Sequence, residues 1–194
     1  MVTIETDIFV MALSLRSGSK VVSKYIMGDA HINAERLNPY RDINYYLEMS
    51  NKEVWFLIRN PLDRFISGLY RDLLVERKTI EQIHEHRKNN WYHGQPILQH
   101  IIDKDYKILP YDNLHKYVDV ENDEKFADNF KTTHYDLARE YANTIDLQDE
   151  FDAYDYIMNN KEILSPIHFK KMVEKAELVN YKGDKINKGQ LWDM

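Results

Sequence analysis

Short apolar runs alternate with longer amphipathic stretches along the chain, and Gly and Pro interrupt them sparingly. From Asp7 to Leu13 (DIFVMAL) the chain is continuously apolar after its first residue. A run of that length without alternation predicts a strand buried on both faces, as in a parallel sheet. The polar loop Ser14-Leu15-Arg16-Ser17-Gly18-Ser19 follows at once. Lys20 to Met27 (KVVSKYIM) then sets Val21, Val22, Tyr25 and Ile26 on one helical face. Val54 to Ile58 (VWFLI) predicts a second buried strand that ends at Arg59. Pro61 suits the first turn of a helix, where a backbone N–H has no intrahelical partner. Leu62, Phe65, Ile66, Leu69 and Leu73 continue that helix at the right spacing.

Thr79-Ile80-Glu81-Gln82 has the form of a capping box and predicts a further helix start. Tyr106 to Leu109 (YKIL) is a short strand candidate. From Asn122 to Asn160 the chain is polar, aromatic and helical in character. Ser165-Pro166 reads as a cap and Pro start for a last helix, Pro166 to Val179. The tail from Lys182 to Met194 reads as a loop. Strands alternating with helices predict an α/β layered fold around a central parallel sheet, with a helix-rich C-terminal half.

The length of 194 residues fits one domain with a real core. The net charge of −6 argues against a general binder of nucleic acid or anionic membranes, although a local basic pocket can still hold an anion. The absence of cysteine excludes disulfides, thiolate metal sites and cysteine nucleophiles. No metal-ligand cluster stands out, and no apolar run approaches the ~20 residues of a membrane span. The opening MVTIETD lacks a signal-peptide layout. The expectation is a soluble, cytoplasmic protein.

Two loops carry candidate chemistry. A loop between a buried strand and a helix presents backbone N–H groups and the helix dipole to an anion. In the first loop Gly18 permits close approach, Ser17 and Ser19 add hydroxyls, and Arg16 and Lys20 add positive charge. This is not a Walker A loop, because Gly18 is followed by Ser19 rather than by Lys and Ser/Thr. Taken alone, a Ser/Gly turn capping a helix explains it equally well. The second loop starts with Arg59 at the carboxyl end of a buried strand, the edge where open α/β sheets bind ligands. Ser67 lies eight residues on, about two helical turns. An Arg fork and a Ser hydroxyl can cradle a phosphate. Taken singly, each is better read as ordinary, Arg59 in a surface ion pair with Asp63 and Ser67 a neutral helix residue.

Together the two stretches resemble the sulfotransferase family. Leu15-Arg16-Ser17-Gly18-Ser19 resembles its 5′-phosphosulfate loop, and Val54 to Tyr70 (VWFLIRNPLDRFISGLY) resembles its 3′-phosphate motif. The segment Trp91-Tyr92-His93-Gly94-Gln95-Pro96 resembles the His-x-x-Pro segment of the carbohydrate sulfotransferases, although Gln95 precedes Pro96 rather than following it. Tyr106 to Leu114 resembles the family's strand and Tyr-Glu/Asp-x-Leu segment, so the likeness spans about residues 7–115. It implies a P-loop-like three-layer fold over residues 1–194, with a nucleotide-binding core at 1–115 and a helical part at 116–194.

The resemblance further implies 3′-phosphoadenosine-5′-phosphosulfate (PAPS) as donor and adenosine 3′,5′-bisphosphate (PAP) as product. Arg16, Ser17, Gly18, Ser19 and Lys20 would hold the 5′-phosphosulfate, and Arg59 and Ser67 the 3′-phosphate. Lys188 and Gly189 would belong to a basic loop closing on the nucleotide. His93 is the first choice for the base that takes the acceptor proton, because imidazole titrates near neutrality. Glu48 and Glu53 stand in reserve, and His84 and His86 read as solvated helix residues. Arg16 stands where many family members carry a catalytic Lys; it stabilises charge but is a poor proton donor, so Lys20 would share the task. The acceptor would be a small molecule or carbohydrate. A P-loop kinase or NTPase and a non-catalytic nucleotide-binding protein remain the alternative readings.

Overall fold

The computed structural model describes residues 2–13, 19–28, 43–49, 51–74, 76–88, 98–118, 133–180 and 183–186. The chain forms two compact units, each assembled from separate segments. One comprises residues 1–58, 104–120 and 160–194, and the other residues 59–103 and 121–159. The class is α/β.

The first unit is built on a four-stranded sheet in the order β1 (Val2–Glu5), β2 (Phe9–Leu13), β3 (Glu53–Ile58) and β4 (Lys107–Pro110). β2, β3 and β4 are parallel, as their uninterrupted apolar sequences require, and their order in the sheet follows the sequence. The sheet is nevertheless mixed, which corrects the expectation of a wholly parallel one: β1 runs antiparallel to β2. The reversal takes only Thr6, Asp7 and Ile8, too few residues for a crossover connection. The Thr6 hydroxyl donates to the Phe9 carbonyl (2.8 Å) and accepts from the Phe9 N–H (2.9 Å), which closes that turn.

Trp55 is fully buried and stacks on Phe9 with ring centroids 4.0 Å apart. Phe169 packs 5.7 Å from both Trp55 and Tyr117. The Tyr117 hydroxyl donates to the Leu164 carbonyl at 2.6 Å, and burial raises its pKa. Helix α1 (Ser19–Met27) buries Val21, Val22, Ile26 and Met27. Tyr25, expected on that face, is 37% exposed and only edges the core, 5.8 Å from Phe169. A further short helix, α2 (Ile43–Met49), precedes β3.

The C-terminal stretch meets both outer strands of the sheet. Beside β4, the Ile108 N–H donates to the Glu162 carbonyl and the Leu164 N–H to the Ile108 carbonyl, both at 2.8 Å. Beside β1, the Val179 N–H donates to the Glu5 carbonyl at 3.2 Å, and Leu178 bridges Thr6. The helix between them ends at Lys175, four residues short of the Val179 its composition predicts. Ala176 is extended, and buried Leu178 and Val179 serve the sheet instead.

The second unit, among the described residues, is helical: α3 (Pro61–Leu74), α4 (Ile80–Lys88), α5 (Thr133–Ala142) and α6 (Gln148–Asn160, whose last residue belongs to the sheet unit). Its core joins Phe65, Ile66, Leu69 and Leu73, all on the predicted α3 face, to Ile83, Ala138 and Ala142. The capping box at α4 forms as its sequence requires: the Thr79 N–H donates to Gln82 Oε1 (2.9 Å), and the Gln82 N–H to Thr79 Oγ1 (3.3 Å). The last helix of the chain, α7 (Pro166–Lys175), belongs to the sheet unit. Ser165 caps it by accepting from the His168 N–H at 3.1 Å, with Pro166 in its first turn. No helix among the described residues is long and apolar enough to cross a membrane.

Candidate functional site

The two strands that precede the candidate phosphate loops end side by side. Leu13, the last residue of β2, pairs in parallel register with Leu57 of β3. The carboxyl ends of these neighbouring strands therefore lie at one edge of the sheet, ~4.8 Å apart. α1 begins at Ser19, so Ser19 and Lys20 occupy its first turn.

Arg59 is 9% exposed. Asn60 turns the chain into α3: its Oδ1 accepts from the Leu62 N–H at 3.0 Å, and its carbonyl accepts from the Arg64 N–H at 3.0 Å. Pro61 occupies the first helical position, so the Asn-Pro pair acts as the cap and stiff first turn that the sequence calls for. Ser67 is half-buried within α3. Arg16, Ser17, Gly18, His93, Lys188 and Gly189 lie outside the described residues. His84 is exposed, with its Nδ1 3.1 Å from the Tyr141 hydroxyl.

Inside the helical unit a buried ion pair stands close to this motif in sequence. Arg64 Nη2 lies 3.5 Å from Glu150 Oε2, and the other carboxylate oxygen accepts from the Leu98 N–H at 3.2 Å. Burial lowers the pKa of Arg64, and Glu150 opposes that shift. The pair joins α3 to α6 and to the 3₁₀ turn Leu98–His100. Sequence reasoning missed it because 86 residues separate the partners. In the sequence Arg64 lies opposite the predicted apolar stripe of α3, so no local signal announced its burial.

Glu53, one reserve for the base, is engaged elsewhere. It opens β3 at the amino edge of the sheet, and five steps of ~3.3 Å put it ~16 Å along the strand from Ile58. His168 Nε2 lies 2.8 Å from its Oε2, and Lys107 Nζ lies 2.5 Å from its Oε1. Lys107 also reaches Glu162 at 3.2 Å. Burial would raise the Glu53 pKa, but hydrogen bonds from His168 and Lys107 outweigh it and hold the carboxyl below its ordinary value. Hydrogen bonding to Glu53 raises the Lys107 pKa in turn. A carboxylate held ionised by two partners, at the wrong end of its strand, is unsuited to take a proton beside Arg59. Glu48, the other reserve, is exposed and accepts from Lys104 Nζ at 3.0 Å.

Among the described residues no group of three or more His, Cys, Asp or Glu is arranged to hold a metal ion. Comparison of the chain with protein-family models, with curated proteins and with solved structures finds no match.

Proposed function

We propose that this chain is a PAPS-dependent sulfotransferase of P-loop-like fold, transferring a sulfuryl group to the hydroxyl or amine of a small-molecule or carbohydrate acceptor. The observation that carries the reading is that β2 and β3, which precede the two candidate loops, are adjacent, parallel and end in register. Loops that follow such a pair of strands suit a nucleotide with phosphates at both its 3′ and 5′ positions. The bound nucleotide would supply the sulfuryl group: its sulfur–oxygen bond to the 5′-phosphate breaks as the acceptor oxygen or nitrogen bonds to sulfur, releasing PAP.

The chain's own residues have three tasks in that scheme. Arg59, with Ser67 on the helix that Asn60 caps, holds the 3′-phosphate. A buried guanidinium binds phosphate oxygens more strongly than an exposed one, because water competes less. Arg16, Lys20 and the N–H groups opening α1 offset the negative charge that develops on the leaving phosphate oxygen. His93 takes the acceptor proton.

Calorimetric titration with PAP, beside ATP with magnesium, tests the proposal. PAP is expected to bind in the micromolar range, and Arg59→Ala to weaken it at least ~10-fold. Ser67→Ala is a milder variant, expected to weaken binding ~3-fold or more, the loss of one hydrogen bond. Preference for ATP with magnesium would replace the proposal with the kinase reading. Failure of the wild-type protein to bind PAP would end it. PAP binding without turnover on any acceptor would leave a non-catalytic binding protein.

A further inference from the structure

Helix α3 is held on two opposite sides. One side, with Phe65, Ile66, Leu69 and Leu73, packs into the core of the helical unit. The opposite side carries Arg64 and, one turn on, Ser67, since residues three apart are neighbours on a helix surface. Arg64 is 5% exposed and its partner Glu150 4%, so both charges lie inside the protein. The buried ion pair therefore stands one helical turn from the hydroxyl assigned above to the 3′-phosphate.

Such a pair adds little stability, because desolvation offsets most of the attraction. What it adds is direction. Apolar contacts are non-directional and leave a helix free to turn slightly about its axis. A carboxylate held at both oxygens does not. Glu150 Oε2 meets Arg64 Nη2 at 3.5 Å, and Glu150 Oε1 accepts from the Leu98 N–H at 3.2 Å. The Arg64 N–H donates to the carbonyl of Asn60, the residue that follows Arg59, at 3.0 Å. So α6 and the 3₁₀ turn Leu98–His100 grip α3 at a residue that lies between Arg59 and Ser67 in the chain.

We infer, on the reading of Arg59 and Ser67 as ligands of the 3′-phosphate, that Glu150 is a positioning residue for that site: through Arg64 it fixes the rotation of α3, and with it the direction of the Ser67 hydroxyl. Turning a helix by ~20° moves an atom ~4 Å from its axis by ~1.4 Å, which a hydrogen bond does not survive. Glu150 does not touch the nucleotide in this scheme. Its influence is confined to the 3′-phosphate and leaves the rest of the ligand alone.

Calorimetric titrations with PAP and with adenosine 5′-phosphate, which lacks the 3′-phosphate, test it. The wild type is expected to bind PAP at least ~10-fold more tightly than adenosine 5′-phosphate. Arg64→Met with Glu150→Leu fills the same space with apolar side chains, so packing is kept and direction is lost. That double variant is expected to bind PAP ~3-fold more weakly and adenosine 5′-phosphate unchanged. Ser67→Ala should cost nothing further in the same background, because the two changes remove one and the same hydrogen bond. Should the double variant fail to fold, Glu150→Gln, which keeps the shape and an acceptor for the Leu98 N–H, is expected to lower the preference for PAP in the same direction. A folded variant that weakens both nucleotides equally has lost structure alone and overturns the inference. So does one in which Ser67→Ala still costs its full ~3-fold; both results leave the 3′-phosphate reading standing. A wild type that binds the two nucleotides equally overturns that reading, and the role of Glu150 with it.

Discussion

In the sheet unit the apolar positions come as uninterrupted runs, Phe9–Leu13 and Val54–Ile58, and the ionised groups sit at strand ends: Glu5 with Lys52, and Glu53 with Lys107. In the helical unit the apolar positions recur every three or four residues, and ionised groups are taken inside, with Arg64 and Glu150 both at 5% exposure or less. The difference follows from geometry. A strand enclosed on both faces leaves room for charge only at its ends. A helix keeps a polar margin along its length, and a long side chain on that margin can be drawn into the interior if it finds a partner. The sheet unit should therefore depend on shape, and the helical unit on pairing.

The largest expected effect is on shape. Trp55→Ala removes the ring that stacks on Phe9 and packs against Phe169 and should cost about 3–5 kcal/mol, read as a lower urea midpoint for loss of sheet structure. Glu150→Ala tests pairing. It removes the carboxylate paired with the buried Arg64 guanidinium and should cost about 3–4 kcal/mol. Replacing both partners together, Arg64→Met with Glu150→Leu, should restore most of that loss. A double variant as unstable as the single one would show that the pair acts through packing alone.

Smaller effects sharpen the comparison at the helix and strand ends. Ser165→Ala deletes the cap of α7 and should cost about 1 kcal/mol in thermal or chemical unfolding. Glu53→Gln should cost under about 1 kcal/mol at pH 7, because water screens a partly exposed pair. Its pH dependence is the more telling readout. Since the folded-state pKa of Glu53 lies below its ordinary 4.5, its stabilisation is complete above that value. It is lost as pH falls through the lower folded-state value. Wild type and Glu53→Gln should therefore converge in stability as pH falls below 4.5.

The sequence is legible where structure is local. β2, β3 and β4 appear as apolar runs, and the starts at Pro61, Thr79 and Ser165 appear as capping patterns whose donor and acceptor lie within three residues. β1 was missed because Val2–Glu5 is four residues long and ends in a charge, whose burial the bonds from Lys52 and Tyr46 help make tolerable. The Glu53–His168 contact spans 115 residues, and no pattern near either residue announces it. At the carboxyl edge, the order of strand and helix was readable for β2 with α1 and for β3 with α3, and so was the placement of Arg59 after β3 and Ser67 in α3. The alignment of β2 with β3 that sets the ends of those strands side by side was not, because strand pairing is decided by the whole sheet.

The grip of residues 162–179 on both outer strands bears on how the chain is made as well as how it is held. β4 and β1 acquire their last backbone partners from Glu162, Leu164, Leu178 and Val179, more than fifty residues after β4 and more than one hundred and seventy after β1. During synthesis the emerging sheet therefore has open edges until residues 162–179 have left the ribosome, and contacts so distant in sequence close slowly. Until then its exposed strands are the part of the nascent chain most open to pairing with a neighbour, which makes the C-terminal stretch the natural timer of productive folding.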